Sequence, residues 1–326
     1  MITFWFAVVV LAWVLFFVLE GFDFGVGLLG PLLGRDDHER GAAVRTIGPF
    51  WDGNEVWLVA AIGVTFAAFP SWYSAMLSGL YLPMVVLLLL LAVRGVALEF
   101  RGKGDGPSYR RRADIALAVS SLGIVLVWGA LLATFARGLA LGADGSVTGG
   151  GFSRTLAPFW SWPAAWGALA ALFAALLLGA TFLGLRTSGP LRHRARTLAR
   201  WLGTGGALAL VLIGFGTGSR LALAAAALSL LAGMLARSGR EALAFATTAL
   251  SVAGTVVAVF TAHGDVVLRS TLDPQWSLTR DAAAATPQAL ELLTWAGVFI
   301  LPGVLAYQAF SYFVFRRRVA SERVPS

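Results

Sequence analysis

Four acids and two arginines fall inside apolar stretches of this chain. Glu20 and Asp23 are three residues apart in EGFDFGVG (20–27), and Asp52 and Glu55 repeat that spacing in GPFWDGNEVW (48–57). In VRGVALEFR (93–101), Arg94 and Arg101 are seven apart, with Glu99 between them. On a helix, residues three apart share a face and residues seven apart lie two turns along one face. Ionisable groups among apolar residues are expensive and mark candidate functional sites. Two chemistries fit. One is a structural salt-bridge knot, since pairing is how membrane proteins tolerate charge. The other is proton conduction, because carboxyls crowded away from water exchange protons near neutral pH. Spacing alone does not choose between them.

The elements that position these groups follow from composition. The 326 residues are 58% hydrophobic and 13% charged, with a mean hydropathy of +0.78. Soluble domains carry about 25% charge and 45–50% apolar residues, so a water-soluble enzyme is excluded. Apolar segments lie near 2–33, 50–69, 75–100, 114–136, 158–185, 198–218, 221–236, 241–262 and 289–315. Most approach the roughly 20 residues that cross a hydrocarbon core of about 30 Å. The reading is an all-α integral membrane protein of about nine transmembrane helices, a single polytopic domain over 1–326. The first segment has no basic run before it and exceeds the roughly 7–15 apolar residues of a cleaved signal, so it is expected to stay as a helix.

Charge sets the orientation. Of 25 basic residues, nineteen fall in one alternate set of connections, five in the other (Arg137, Arg154, Arg220, Arg269 and Arg280), and Arg94 lies within a span. The positive-inside rule then places the N-terminus outside and the C-terminus in the cytoplasm. The formal net charge of +8 therefore has a topological meaning, and no nucleic-acid partner is implied. The outer connections near 137–157 and 263–288 read as capping loops.

With no cysteine, the chain offers no disulfide or thiolate metal site. His38 and His193 fall in inner loops and His263 at the outer end of a span. None is placed to ligate haem, and no metal is expected. Tryptophans near span ends, among them Trp5, Trp72, Trp160, Trp162 and Trp276, read as an interfacial belt. Gly21 and Gly25 form a GxxxG, a pattern that lets helix backbones approach closely.

Taken together, GFDFGVG (21–27), GPFWDGNEVW (48–57), Phe69-Pro70 with Tyr73, and RGVALEFR (94–101) resemble the second subunit of cytochrome bd-type quinol oxidases. STLDPQWSLTRDAAAA (270–285) and LTWAGVFILP (293–302) extend the resemblance to the C-terminal part, around a variable middle. It implies a subunit of a respiratory terminal oxidase in a bacterial plasma membrane, one that oxidises quinol and reduces dioxygen to water. Two four-helix bundles plus one peripheral helix are the implied architecture. Haem b and haem d are implied in a partner, the haem-bearing subunit I, with this chain haem-free; small accessory subunits and a bound quinone or lipid are further associations the family allows. By motif, Asp52 with Trp51 beside it matches a proton-delivery position. Asp23, Arg94 and Arg101 match other polar positions, while Glu20, Glu55 and Glu99 complete the charged set. Glu55 stands where some relatives carry a neutral glutamine. The alternative is an ion-coupled secondary transporter with a membrane-embedded acidic site, which predicts broken helices at the midplane in repeated halves.

Overall fold

The computed structural model describes residues 1–321. Arg323, counted above among the inner arginines, and the C-terminal Ser326 lie outside the described residues. Thirteen α-helices carry the fold: α1 (Ile2–Leu33), α2 (Asp37–Ile47), α3 (Trp51–Ala68), α4 (Pro70–Gly79), α5 (Tyr81–Phe100), α6 (Pro107–Arg137), α7 (Gly151–Leu156), α8 (Trp162–Arg186), α9 (Pro190–Thr217), α10 (Arg220–Arg237), α11 (Glu241–Thr261), α12 (Arg280–Ala283) and α13 (Pro287–Val314). Two small two-stranded pairings accompany them. β1 (Thr187–Ser188) runs parallel to β4 (Val319–Ala320), and β2 (Val266–Leu268) is antiparallel to β3 (Leu278–Thr279).

Eight helices among the described residues are long and apolar enough to cross a bilayer. The ninth expected crossing is α3, whose 18 residues span about 27 Å at 1.5 Å per residue. Its first turns carry Asp52, Asn54 and Glu55, which lower its hydropathy without shortening it. The segment expected as one span over 75–100 is interrupted: α4 ends at Gly79 and α5 starts at Tyr81. Pro83 has no N–H to offer the Gly79 carbonyl, so the helical ladder breaks there.

α1, α3, α5 and α6 form one four-helix bundle, and α8 to α11 form the other. α1 and α6 pack on α8, and α1 also on α11, which joins the bundles. α13 lies outside both, against α3, with side chains such as Leu292 and Phe299 exposed. An aromatic node binds the first bundle internally: Trp128 of α6 sits 5.3 Å from Trp13 and 5.2 Å from Phe16 of α1, both edge-on. Such pairs contribute about 0.5–1.5 kcal/mol each beyond area burial. Trp5 and Trp72, expected in the interfacial belt, are buried, while Trp160 and Trp162 are almost fully exposed. Trp5 is drawn inward because its Nε1 donates to Thr294 Oγ1 of α13 at 3.1 Å.

The bundles meet where glycines permit it. A Cβ on Gly25 would lie 2.8 Å from the Gly179 Cα of α8 and would strike the Ala175 carbonyl oxygen. Gly129 of α6 and Gly167 of α8 face one another in the same way. The GxxxG in α1 therefore serves helix packing. Gly25→Leu should block assembly of the two bundles, with a cost at or above the roughly 1–3 kcal/mol of an overpacked core. Gly102→Ala, with nothing near the added methyl, should be silent. Yield and thermal unfolding in detergent would compare them; equal stability of the two variants would contradict the crossing.

At one end of the bundles the long connections close into a cap. Leu139 N donates to Arg269 O at 3.0 Å and Thr271 N to Leu139 O at 2.9 Å, tying the loop after α6 to the loop after α11.

Candidate functional site

The charged residues picked out by spacing fall into two separate groups. In the first, α1 presents Glu20 and Asp23 on one buried face, and α5 brings Arg94 against them. All three are fully buried. Arg94 Nη1 is 3.2 Å from Glu20 Oε2, and its guanidinium lies over the Phe24 ring at 4.8 Å from the centroid. The ion pair leaves most of its hydrogen-bonding capacity unused. Both Glu20 oxygens, Asp23 Oδ1 and all three Arg94 nitrogens have no hydrogen-bond partner among the described residues.

α3 supplies the link between α1 and the peripheral helix. The chain turns through Gly48 and Pro49 before α3 begins at Trp51, so Asp52 falls in the first turn, where a negative side chain complements the helix dipole. Asp52 is exposed, Trp51 and Glu55 are half-buried, and Asn54 is fully buried. Asn54 Nδ2 donates to Asp23 Oδ2 at 2.7 Å. Its Oδ1 accepts from Gln308 Nε2 at 2.9 Å and from the Tyr312 hydroxyl at 2.8 Å, both on α13. Tyr312 is held by Phe50, stacked on it at 4.5 Å. The Trp51 ring packs over Gly95 of α5, where a Cβ would sit 3.7 Å from it. The polar network therefore crosses from α5 through α1 and α3 to α13.

Arg101 and Glu99 do not join it. Arg101 lies about 10 Å further along α5 than Arg94, and there it bonds Asp114 of α6 at 2.6 Å and Asp37 of α2 at 2.9 Å. Arg40 reaches the same Asp114 at 3.0 Å, and Arg110 reaches Asp37 at 2.7 Å. This second group clamps α2, α5 and α6 together. Glu99 is exposed and pairs with Lys103 at 2.5 Å, one turn along, because the helix turns it away from Arg94. The expected set of four acids facing two arginines thus reduces to one arginine with Glu20 and Asp23.

Asn54, Gln308 and Tyr312 escaped the charge-based reading because none is ionised within the bilayer. A signal existed for the last two, since polar residues four apart on an apolar span share a face. His263 is bound locally, with Nε2 donating to Ala136 O at 2.6 Å. No group of three or more His, Cys, Asp or Glu among the described residues is arranged to hold a metal ion.

The network sits on motifs that a family model reads across residues 1–315, and that family is described as cytochrome bd terminal oxidase subunit II. The chain belongs to this family. It is 35% identical to cytochrome bd ubiquinol oxidase subunit 2 of Bacillus subtilis (strain 168), covering 97% of this chain and 96% of that protein. It is 28% identical to cytochrome bd-I ubiquinol oxidase subunit 2 of Escherichia coli (strain K12), covering 95% and 92%. In fold it matches the bd oxidase structure from Geobacillus thermodenitrificans with a TM-score of 0.74 at 19% identity, over 96% of this chain and 98% of that one. As a bd oxidase subunit II, the chain is part of a bacterial membrane oxidoreductase complex. The helix count, the pairing of bundles and the outlying α13 are consistent with that match.

Proposed function

We propose that this subunit serves its haem-bearing partner, subunit I, as a haem-free scaffold and supplies part of the cytoplasmic route by which protons reach the site of oxygen reduction. The reading rests on the polar network across α1, α3, α5 and α13 in a chain of this family. Haems b and d, held by the partner, supply the chemistry that oxidises quinol and reduces dioxygen to water. That reduction consumes protons, and in a dry interior they must travel along polar groups. Asp52 is the receiving acid at the exposed start of α3, with Trp51 next to it in the chain and Glu55 one turn further in. Glu20 and Asp23 form the buried continuation. Their unused lone pairs offer water hydrogen-bonding sites, and Arg94 and Asn54 fix their positions. Arg101 and Glu99 stand outside the route, one clamping helices and the other on the surface.

The orientation supports this direction of travel. By sequence, nineteen basic residues fall in one alternate set of connections and five in the other, which supports a cytoplasmic position for the start of α3. A reporter in the 263–288 loop should read as external and one at Ser326 as cytoplasmic; the reverse result would put the route on the wrong side. The assignment to an oxidase is tested by optical spectroscopy of the complex purified through this chain. Haem b and haem d bands are expected there, and a colourless preparation from this chain alone: His38 and His193, expected in inner loops, lie instead in the first turns of α2 and α9, and His263 is hydrogen-bonded to the Ala136 carbonyl. A complex without those bands would return the acidic site to the ion-coupled transporter reading. A bound quinone or lipid, and small accessory subunits facing the exposed side of α13, complete the proposed associations.

A further inference from the structure

Away from the proton route, a cavity of about 490 Å³ runs between α1, α6, α8, α9 and α11. Its volume falls within the range of about 300–1,000 Å³ usual for small-ligand pockets. The α8 residues along it extend from Trp162 to Leu178, about 24 Å at 1.5 Å per residue. The cavity is therefore elongated along the helix axes, a shape that suits an extended chain. Its walls are apolar, with Phe24, Trp128, Ala174 and Val252 among them.

The capped end of this cavity is different in character. Arg137, the last residue of α6, borders it there and also lines a second cavity of about 390 Å³ shared with Arg154, Thr134, Thr148 and Thr271. The two cavities therefore meet at Arg137. Neither arginine has an ion pair or side-chain hydrogen bond among the described residues, and Arg154 Nε is buried without a partner. Three acids on the same cap are engaged elsewhere. The Ser146 side chain and amide donate to Asp144 and hold its carboxyl below the usual range. Asp265 pairs with Arg280 at 3.5 Å, and Asp273 accepts from Gln275 N at 2.9 Å. Exposed Trp162, which lines the same cavity as Arg137, marks the level of lipid headgroups.

We propose, building on the bound quinone or lipid included in the proposed function, that the joined cavities form a binding site for one anionic phospholipid, its phosphodiester between Arg137 and Arg154 and one acyl chain threaded between the two bundles. Guanidinium groups match phosphate oxygens in charge and geometry. Lipid tails are already in an apolar solvent, so chain burial contributes little, and the charged end decides which lipid stays. A neutral quinone head gives the two cations nothing to neutralise. Free phosphate leaves the long cavity unexplained.

The test uses the whole complex, washed extensively in mild detergent, with retained lipids quantified by mass spectrometry per copy of this chain. About one anionic phospholipid should survive in the wild type. Arg137→Gln with Arg154→Gln should reduce it at least tenfold, about 1.4 kcal/mol, and Arg154→Lys should keep it. Ala174→Phe, which fills the apolar cavity and leaves both arginines in place, should expel it as well. Should the double variant fail to assemble, Arg154→Lys and Ala174→Phe still decide. Unchanged retention in either loss variant, equal retention of zwitterionic lipid, a quinone as the sole occupant, or displacement of the lipid by millimolar inorganic phosphate would each overturn the proposal.

Discussion

Asp52→Asn is expected to leave the haem content of the assembled oxidase unchanged while removing most of its quinol-driven oxygen consumption. The substitution keeps the shape of the side chain and its place in the first turn of α3, and removes only the exchangeable proton. Asp52 is exposed and makes no hydrogen bond or ion pair among the described residues, so its loss leaves no buried partner stranded and should cost little stability. Turnover is another matter. If the route passes through this carboxylate, the rate should fall at least tenfold, about 1.4 kcal/mol on the limiting barrier, with apparent quinol affinity nearly unchanged because the substitution touches only the proposed proton route. Oxygen uptake measured at several pH values on either side of neutrality would check this. Wild-type rates at every pH in a fully assembled variant would leave the network as a structural knot. Glu55→Gln should have a smaller effect in the same assay, since Glu55 lies one turn inside the proposed entry and Asp52 would still be present.

Arg94→Met is expected to have the opposite signature, loss of the protein before loss of the reaction. Arg94 and Glu20 are both fully buried and 3.2 Å apart. Removing one member of such a pair typically costs about 3–5 kcal/mol, because the remaining charge is left uncompensated in a low dielectric. A large fall in purified complex and in its unfolding temperature in detergent should follow. Glu20→Gln added to Arg94→Met should restore much of the loss, and a double-mutant cycle would measure the coupling. If the two single changes simply added, the ion pair would not be what holds α5 to α1.

The helices were legible because hydropathy and charge bias are summed over many residues, and errors of one position do not alter them. The break at Leu80 was hidden because apolar side chains continue through it, although Gly79 and Pro83 state the reason locally. The charged site was read only in part. Glu20, Asp23 and Arg94 stood out as charges in apolar surroundings, and the fold brought them together. Arg101 shares a helix stripe with Arg94, but spacing gives no information on depth, and about 10 Å along the axis was enough to assign it to Asp114 and Asp37. Glu99 is separated from Arg94 by five residues, which on a helix turns it to another side. Asn54 was visible within the WDGN segment but carried no charge to single it out. Gln308 and Tyr312 reach it from more than 250 positions away, a juxtaposition that no local pattern contains.

The glycine crossing between α1 and α8 also limits how this subunit can move. Transport by alternating access requires two halves that rock apart and reseal about a central site. Here the backbones of Gly25 and Gly179 are in near contact with no side chain between them, so at this crossing the two bundles cannot slide past one another without first separating. At that point the subunit is built as a stator, a fixed joint about which neither bundle rocks, and a proton route of the kind proposed would have to work by relay between fixed groups.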